Sequence, residues 1–187
     1  LEKALKQIYK TKVKFNSSSR TDAGAHAQGN VISFNAPISI PSDSITLALN
    51  SVLPDDIRVI SAEKAGTGFN ARFDAKAKTY EYLIYNGEAM PPHLRKIAWQ
   101  VKQKLNLAAM KKASRYLIGK HDFSSFCAAG GDDKNFVRII HQFVIRHSSF
   151  VIWDSQKIKV ISIKVKGNGF LYKMVRSIVG ALLKVGE

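Results

Sequence analysis

Cysteine is nearly missing from this chain: Cys127 stands alone among 187 residues. One thiol excludes an internal disulfide framework and any cysteine-rich metal site. No run of 18 apolar residues occurs, so no helical membrane span is expected. The amino end, Leu1-Glu2-Lys3-Ala4-Leu5-Lys6, lacks the apolar core of a secretion signal, and the expected location is the cytoplasm. A phosphate loop of the Walker type is absent, and His26, His93, His121, His141 and His147 show no metal-ligand spacing. The expectation is therefore a protein with no metal, nucleotide or redox cofactor.

Acidic residues are also scarce, 14 against 29 Lys and Arg, leaving a net charge of +15. Such an excess favours a polyanionic partner, because each phosphate neutralised releases a counterion, and binding should weaken steeply with salt. The cations are dispersed, from Lys3 to Lys14, Arg95 to Lys120 and Lys157 to Lys184. That is a folded basic surface, not a basic tail. Charge alone does not separate RNA from DNA or acidic lipid. Hydrophobic content of 45% is enough for a core.

What is present is organised around Ser17-Ser18-Ser19-Arg20-Thr21-Asp22-Ala23-Gly24-Ala25-His26-Ala27, followed by the alternating Val31-Ile32-Ser33-Phe34. Small polar residues without helical period, then alternation, predict a tight loop feeding a strand. Gly24 permits a sharp turn or a close approach to a ligand. Read from the residues alone, Asp22 could equally serve an Asx-type turn, with Arg20 in solvent.

Residues 1–9 have the stripe Leu1, Ala4, Leu5, Ile8 of an amphipathic helix. Ser42 or Asp43 is placed to cap a second helix holding Ile45, Leu47, Ala48 and Leu49. Alternation predicts a strand over 57–62, and Gly66-Thr67-Gly68 marks a division into residues 1–66 and 67–187. Tyr80, Tyr82 and Ile84 fall on one face of a strand over 79–85. An irregular connection follows Pro91-Pro92, and Asn106 caps a helix over 107–118 with a basic side. His121 and Asp122 resemble a catalytic pair, but a structural turn anchored by Phe123 and Phe126 is the plainer reading, with Cys127 a buried inert thiol. Residues 128–134 form a loop. Strands over 137–150 and 157–166 make a hairpin around Trp153-Asp154-Ser155, with Ile161, Ile163 and Val165 inward. A final helix over 170–186 presents Phe170, Met174, Ile178, Ala181, Leu182 and Val185, with Tyr172 and Arg176 four apart on another stripe.

Five stretches carry a resemblance. Ser19-Arg20-Thr21-Asp22-Ala23-Gly24-Ala25-His26-Ala27 resembles the active-site loop of the tRNA pseudouridine synthase A family. Phe69 to Asn86, Gly119 to Phe126 and the nearly complete Gly167 to Gly180 resemble it as well, as does Leu53 to Val59. The resemblance implies that Asp22 is the catalytic nucleophile and that Arg20 helps hold the target uridine out of its stack. It makes Tyr80 the tyrosine lying against the uracil, and Arg176 the arginine that grips the Asp22 carboxylate. It implies tRNA as substrate, modified on the 3′ side of the anticodon stem-loop, and a homodimer sharing one tRNA. Family members carry one more strand before the first helix and another beyond the last, neither of which is seen here.

The implied fold is α/β: a mixed, mostly antiparallel sheet with helices on one face, in two similar halves around a cleft. The first half would carry the aspartate loop and the second the tyrosine strand and arginine helix. Two other readings stay open. One is a non-catalytic basic RNA-binding module, which an intact Arg20-Thr21-Asp22 loop with Tyr80 and Arg176 disfavours. The other is a hydrolase or nuclease built on Asp22 and His26, which the lack of a second acidic cluster disfavours.

Overall fold

The computed structural model describes residues 1–131, 133–151 and 157–187, apart from the Val151 side chain. It divides into two compact units: residues 1–21 with 27–75, and residues 76–187 with the five residues Asp22 to His26. Among the described residues, four α-helices and a mixed sheet give the α/β class.

The first unit holds α1 (Glu2–Tyr9), the antiparallel pair β1 (Phe15–Ser17) and β2 (Ile32–Phe34), and α2 (Ser42–Val52). Apolar residues at helical spacing bring Ala4, Leu5 and Tyr9 of α1 against Ile45 and Leu49 of α2, with Val13 and Leu53 completing the core. Each of the leucine, isoleucine and valine side chains removed from water contributes about 1.5–3 kcal/mol. The exposed ion pairs Lys12–Glu2 and Arg58–Asp55 add little beside that. Burial pushes the Tyr9 hydroxyl pKa up. Neither Ser42 nor Asp43 caps α2: the helix starts behind Pro41, without a side-chain cap. Leu47 points outward, since only the four-residue spacing of Ile45 and Leu49 faces α1.

The predicted strand over 57–62 does not form, and these residues carry no regular secondary structure. Its backbone at Val59 bonds instead to Asn50 of α2, whose amide donates to the carbonyl at 2.9 Å and accepts from the N–H at 2.8 Å.

The second unit is built on a five-stranded sheet. Its strands are β3 (Lys78–Tyr85), β4 (Trp99–Gln100), β5 (Gly119–Asp122), β6 (Val137–Val151) and β7 (Lys157–Gly167), in the order β4-β3-β7-β6-β5. Only β3 and β4 run parallel. The helices are α3 (Leu107–Ser114) and α4 (Met174–Gly186). β7 is central, and Val160, Ile161, Ser162 and Ile163 are all buried, as expected where both faces of a strand are covered. On the helix side, Ile84, Ile145, Ile161, Ile163 and Val165 pack with Met110 of α3 and Met174, Ile178, Val179, Leu182 and Leu183 of α4.

Asn106 caps α3 by accepting from the Ala109 amide at 3.0 Å, and α3 gives way at Arg115 to a 3-10 turn over Arg115–Leu117. Residues 119–126, expected as a turn, form the edge strand β5 and a 3-10 turn over Ser124–Phe126. Phe123 is buried and Phe126 packs beside it. Asp122 serves this turn: its carboxylate accepts the Ser124 amide at 2.8 Å, and that bond holds its pKa below the ordinary value. Cys127 is half-exposed and not buried, because it edges the core beside the following loop. In that loop Asp133 pairs with Arg138 at 2.6 Å. The hairpin turn at Trp153-Asp154-Ser155 lies outside the described residues.

The motif Gly167-Asn168-Gly169 has a structural explanation. β6 carries a bulge between Ile140 and Gln142 where it meets the end of β7. There the Asn168 amide N–H donates to the Ile139 carbonyl at 3.0 Å, while its side-chain oxygen accepts from the Ile139 N–H at 2.9 Å. The backbones come so close that a Cβ on Gly167 would lie 2.8 Å from the Ile139 oxygen.

The last helix begins at Met174, four residues later than its apolar spacing predicts. Its inward face is Met174, Ile178, Val179, Leu182, Leu183 and Gly186. Ala181 and Val185 instead line an open apolar groove of about 140 Å³ with Leu117 and Phe126. None of the described helices is long and apolar enough to cross a membrane.

Candidate active site

Asp22 to His26 forms the tip of the loop singled out in the sequence, grouped with the second unit. The Ala25 amide donates to the Asp22 carbonyl at 3.0 Å, and Gly24 has φ 80°. A four-residue turn with left-handed backbone at its third position is the geometry that demands glycine there. The turn engages the main chain of Asp22 and not its carboxylate. Among the described residues no hydrogen bond or ion pair engages that carboxylate. His26 ties the tip down, its Nε2 lying 3.3 Å from the Lys96 carbonyl oxygen.

The Asp22 side of this tip lines a pocket of about 260 Å³ with Ala23, Tyr172, Lys173 and Arg176. That is just under the range of about 300–1,000 Å³ of small-molecule sites, a size suited to one base. The opposite wall is built by the turn into α4. Met174 N–H donates to the Leu171 carbonyl at 3.1 Å, and the Lys173 carbonyl receives the Ser177 amide at 3.1 Å. Lys173 itself has φ 55° and ψ 11°, a conformation costing a side-chain-bearing residue roughly 1–2 kcal/mol. This left-handed residue is what delays the helix. It places Tyr172 before α4 and Arg176 in the first turn, both facing Asp22 across the pocket. The Tyr172 carbonyl accepts the Ala128 amide at 3.1 Å. Gly131 sits where a Cβ would meet the Tyr172 Cβ at 3.0 Å, so the 128–131 segment braces the ring.

Asp22 and Arg176 thus share one pocket, though they are not within ion-pair distance of each other. The bidentate grip implied by the sequence resemblance is not formed; the two residues line one pocket without pairing. Tyr80 stands on β3 outside the lining set, its ring edge-on to Phe170 at 5.1 Å between centroids. Phe170 is two residues before Tyr172, so Tyr80 supports the same turn from the sheet side. Arg20 belongs to the first unit. His121 bonds to the Ile118 carbonyl at 2.9 Å, a local structural contact. Among the described residues no cluster of three or more His, Cys, Asp or Glu is placed to hold a metal ion. The left-handed backbone of Lys173, between Tyr172 and Arg176, has no sequence signature.

The pocket opposes one carboxylate with two cations at the positive end of a helix, on a mixed sheet in a strongly basic protein. That is equipment for a nucleotide substrate. Residues 113–187 match the family described as tRNA pseudouridine synthase. Similarity extends further: tRNA pseudouridine synthase A of Bacillus licheniformis is 44% identical over 188 residues, covering 100% of this chain and 72% of the relative. That of Bacillus subtilis is 42% identical over 188 residues with the same coverage, and that of a Thermoanaerobacter species 41% over 186 residues, again 100% and 72%. The chain belongs to the tRNA pseudouridine synthase family, isomerases that convert uridine to pseudouridine.

Proposed function

We propose that this chain isomerises uridine to pseudouridine in tRNA, on the 3′ side of the anticodon stem-loop, with Asp22 as the nucleophile. The observation carrying the reading is the Asp22 carboxylate, unused by its own turn, in a residue that lines one pocket with Arg176. In the reaction the N1–C1′ glycosidic bond breaks, the uracil turns, and C5 bonds to C1′. The proton leaving C5 is balanced by one gained at N1, so substrate and product are isomers. A carboxylate suits this chemistry because it is ordinarily ionised near neutrality and needs orientation more than activation.

The target base must leave its stack, at a cost of a few kcal/mol that pocket contacts offset. Arg20 would hold the base out of the RNA, and Tyr80 would lie against the uracil. Arg176 would draw in to pair with Asp22 when the pocket fills, since a guanidinium matches a carboxylate bidentately. The net charge of +15 supports binding of a structured RNA by backbone and shape. The sequence resemblance adds a cytoplasmic homodimer holding one tRNA.

Incubation with unmodified tRNA, with and without a chelator, followed by nucleoside analysis, tests the reading. Product pseudouridine in the anticodon arm supports it. Asp22→Ala should abolish product while tRNA affinity stays within a few-fold. Retained activity overturns the nucleophile assignment; strand cleavage favours the nuclease reading, and binding without product a recognition module.

A further inference from the structure

We propose that Lys173 binds the phosphodiester of the nucleotide being isomerised, anchoring the backbone while the base turns. The inference rests on the assignment of this pocket to the reaction and adds to it a substrate contact.

Three observations converge on the residue. Its side chain lines the pocket that Asp22 and Arg176 share. Its ammonium lies over the Tyr172 ring, 4.9 Å from the centroid, and among the described residues it has no acidic partner. Its backbone is left-handed, a geometry in which glycine or asparagine is at ease and lysine is not. A lysine kept there is kept at a conformational cost.

Charge counting indicates what it binds. Asp22 neutralises one of the two pocket cations, leaving one positive charge for the substrate. A uracil is neutral and cannot supply the counter-charge; each nucleotide of an RNA chain brings one phosphodiester. The reaction separates the two moieties mechanically. The uracil must detach and rotate, whereas the ribose stays in the chain, so a strong grip on the base would oppose the turn. A grip on the phosphate would not. An ammonium suits the task, since it contacts a phosphate as a point charge without demanding a fixed plane. The Tyr172 face positions it without neutralising it.

The test measures binding of unmodified tRNA over a range of salt in the Asp22→Ala background, where turnover does not intervene. Lys173→Gly should lower affinity about tenfold and make the slope of log affinity against log salt shallower by about one. Its melting temperature should hold or rise, because glycine relieves the left-handed strain. A role confined to packing on Tyr172 predicts the reverse: lower stability and an unchanged salt slope. Lys173→Asn, uncharged but tolerant of this backbone, should match the glycine variant in binding, and Lys173→Arg should retain the slope. An unchanged slope in both the Gly and Asn variants overturns the inference, even if turnover falls. Activity of the Asp22→Ala protein would instead sink the proposed reaction, a result distinct from any binding slope.

Discussion

Asn50 takes the place of a neighbouring strand for Val59. Its side-chain amide donates to the Val59 carbonyl at 2.9 Å and accepts from the Val59 N–H at 2.8 Å. Asn50→Ala would strip both partners from a half-buried backbone. At about 0.5–1.5 kcal/mol for each net hydrogen bond, the loss should be roughly 2 kcal/mol. Asn50→Asp should fare no better, since a carboxylate oxygen would oppose the Val59 carbonyl. Chemical denaturation of the two variants checks this; a change under a few tenths of a kcal/mol in both would show that the pair contributes nothing.

Two glycines near the end of the chain should respond to alanine with opposite signs. A Cβ at Gly167 would lie 2.8 Å from the Ile139 carbonyl oxygen, a backbone atom that no rotamer change can move. Gly167→Ala should cost about 2 kcal/mol and lower the melting temperature by several degrees. It should also lower turnover, because Gly167 begins the segment that leads to Tyr172, Lys173 and Arg176. Gly180, inside α4, has nothing within 4 Å of its Cβ position. Gly180→Ala should therefore stabilise by about 0.5–1 kcal/mol. Parallel thermal melts decide the matter, and equal shifts in one direction would refute the local explanation.

Long, regular patterns were the legible part of this sequence. The β6–β7 hairpin, β3 with Tyr80, Tyr82 and Ile84 on one face, and the Asn106-capped α3 all follow from periodicity and capping chemistry. Misreadings arose where one residue overrode a pattern. Residues 57–62 alternate like a strand, yet their partner is a single side chain of α2. Apolar spacing continues unbroken from Phe170 into α4, and a left-handed Lys173 still postpones the helix to Met174. The two-residue strand β4 is too short for any pattern. Asp22 and Arg176 stand out through the resemblance alone; nothing local in either residue requires them to meet, because their approach depends on how the second unit packs. The conformation of Lys173 is illegible for another reason, since a left-handed lysine has no sequence signature.

A hydrogen bond between residues 70 positions apart gives the sharpest distinction between the isomerase and the rival nuclease. His26 Nε2 is 3.3 Å from the Lys96 carbonyl oxygen. A carbonyl only accepts, so Nε2 must carry the hydrogen, which is true of one neutral tautomer and of the imidazolium. The bond thus survives a change of protonation, and its role is to hold the loop tip carrying Asp22. One net hydrogen bond of about 0.5–1.5 kcal/mol corresponds to a two- to twelvefold change in the fraction of correctly placed loops. His26→Ala should lower kcat by about that factor, with little change in KM or melting temperature. Gln carries a side-chain N–H with similar reach, so His26→Gln should restore much of the loss and leave the pH–rate profile unaltered. If His26 were a general base, both variants would lose activity by a factor of about a hundred or more, and the glutamine would rescue nothing. Steady-state kinetics of the two variants on unmodified tRNA, at several pH values, separates a tether from a base.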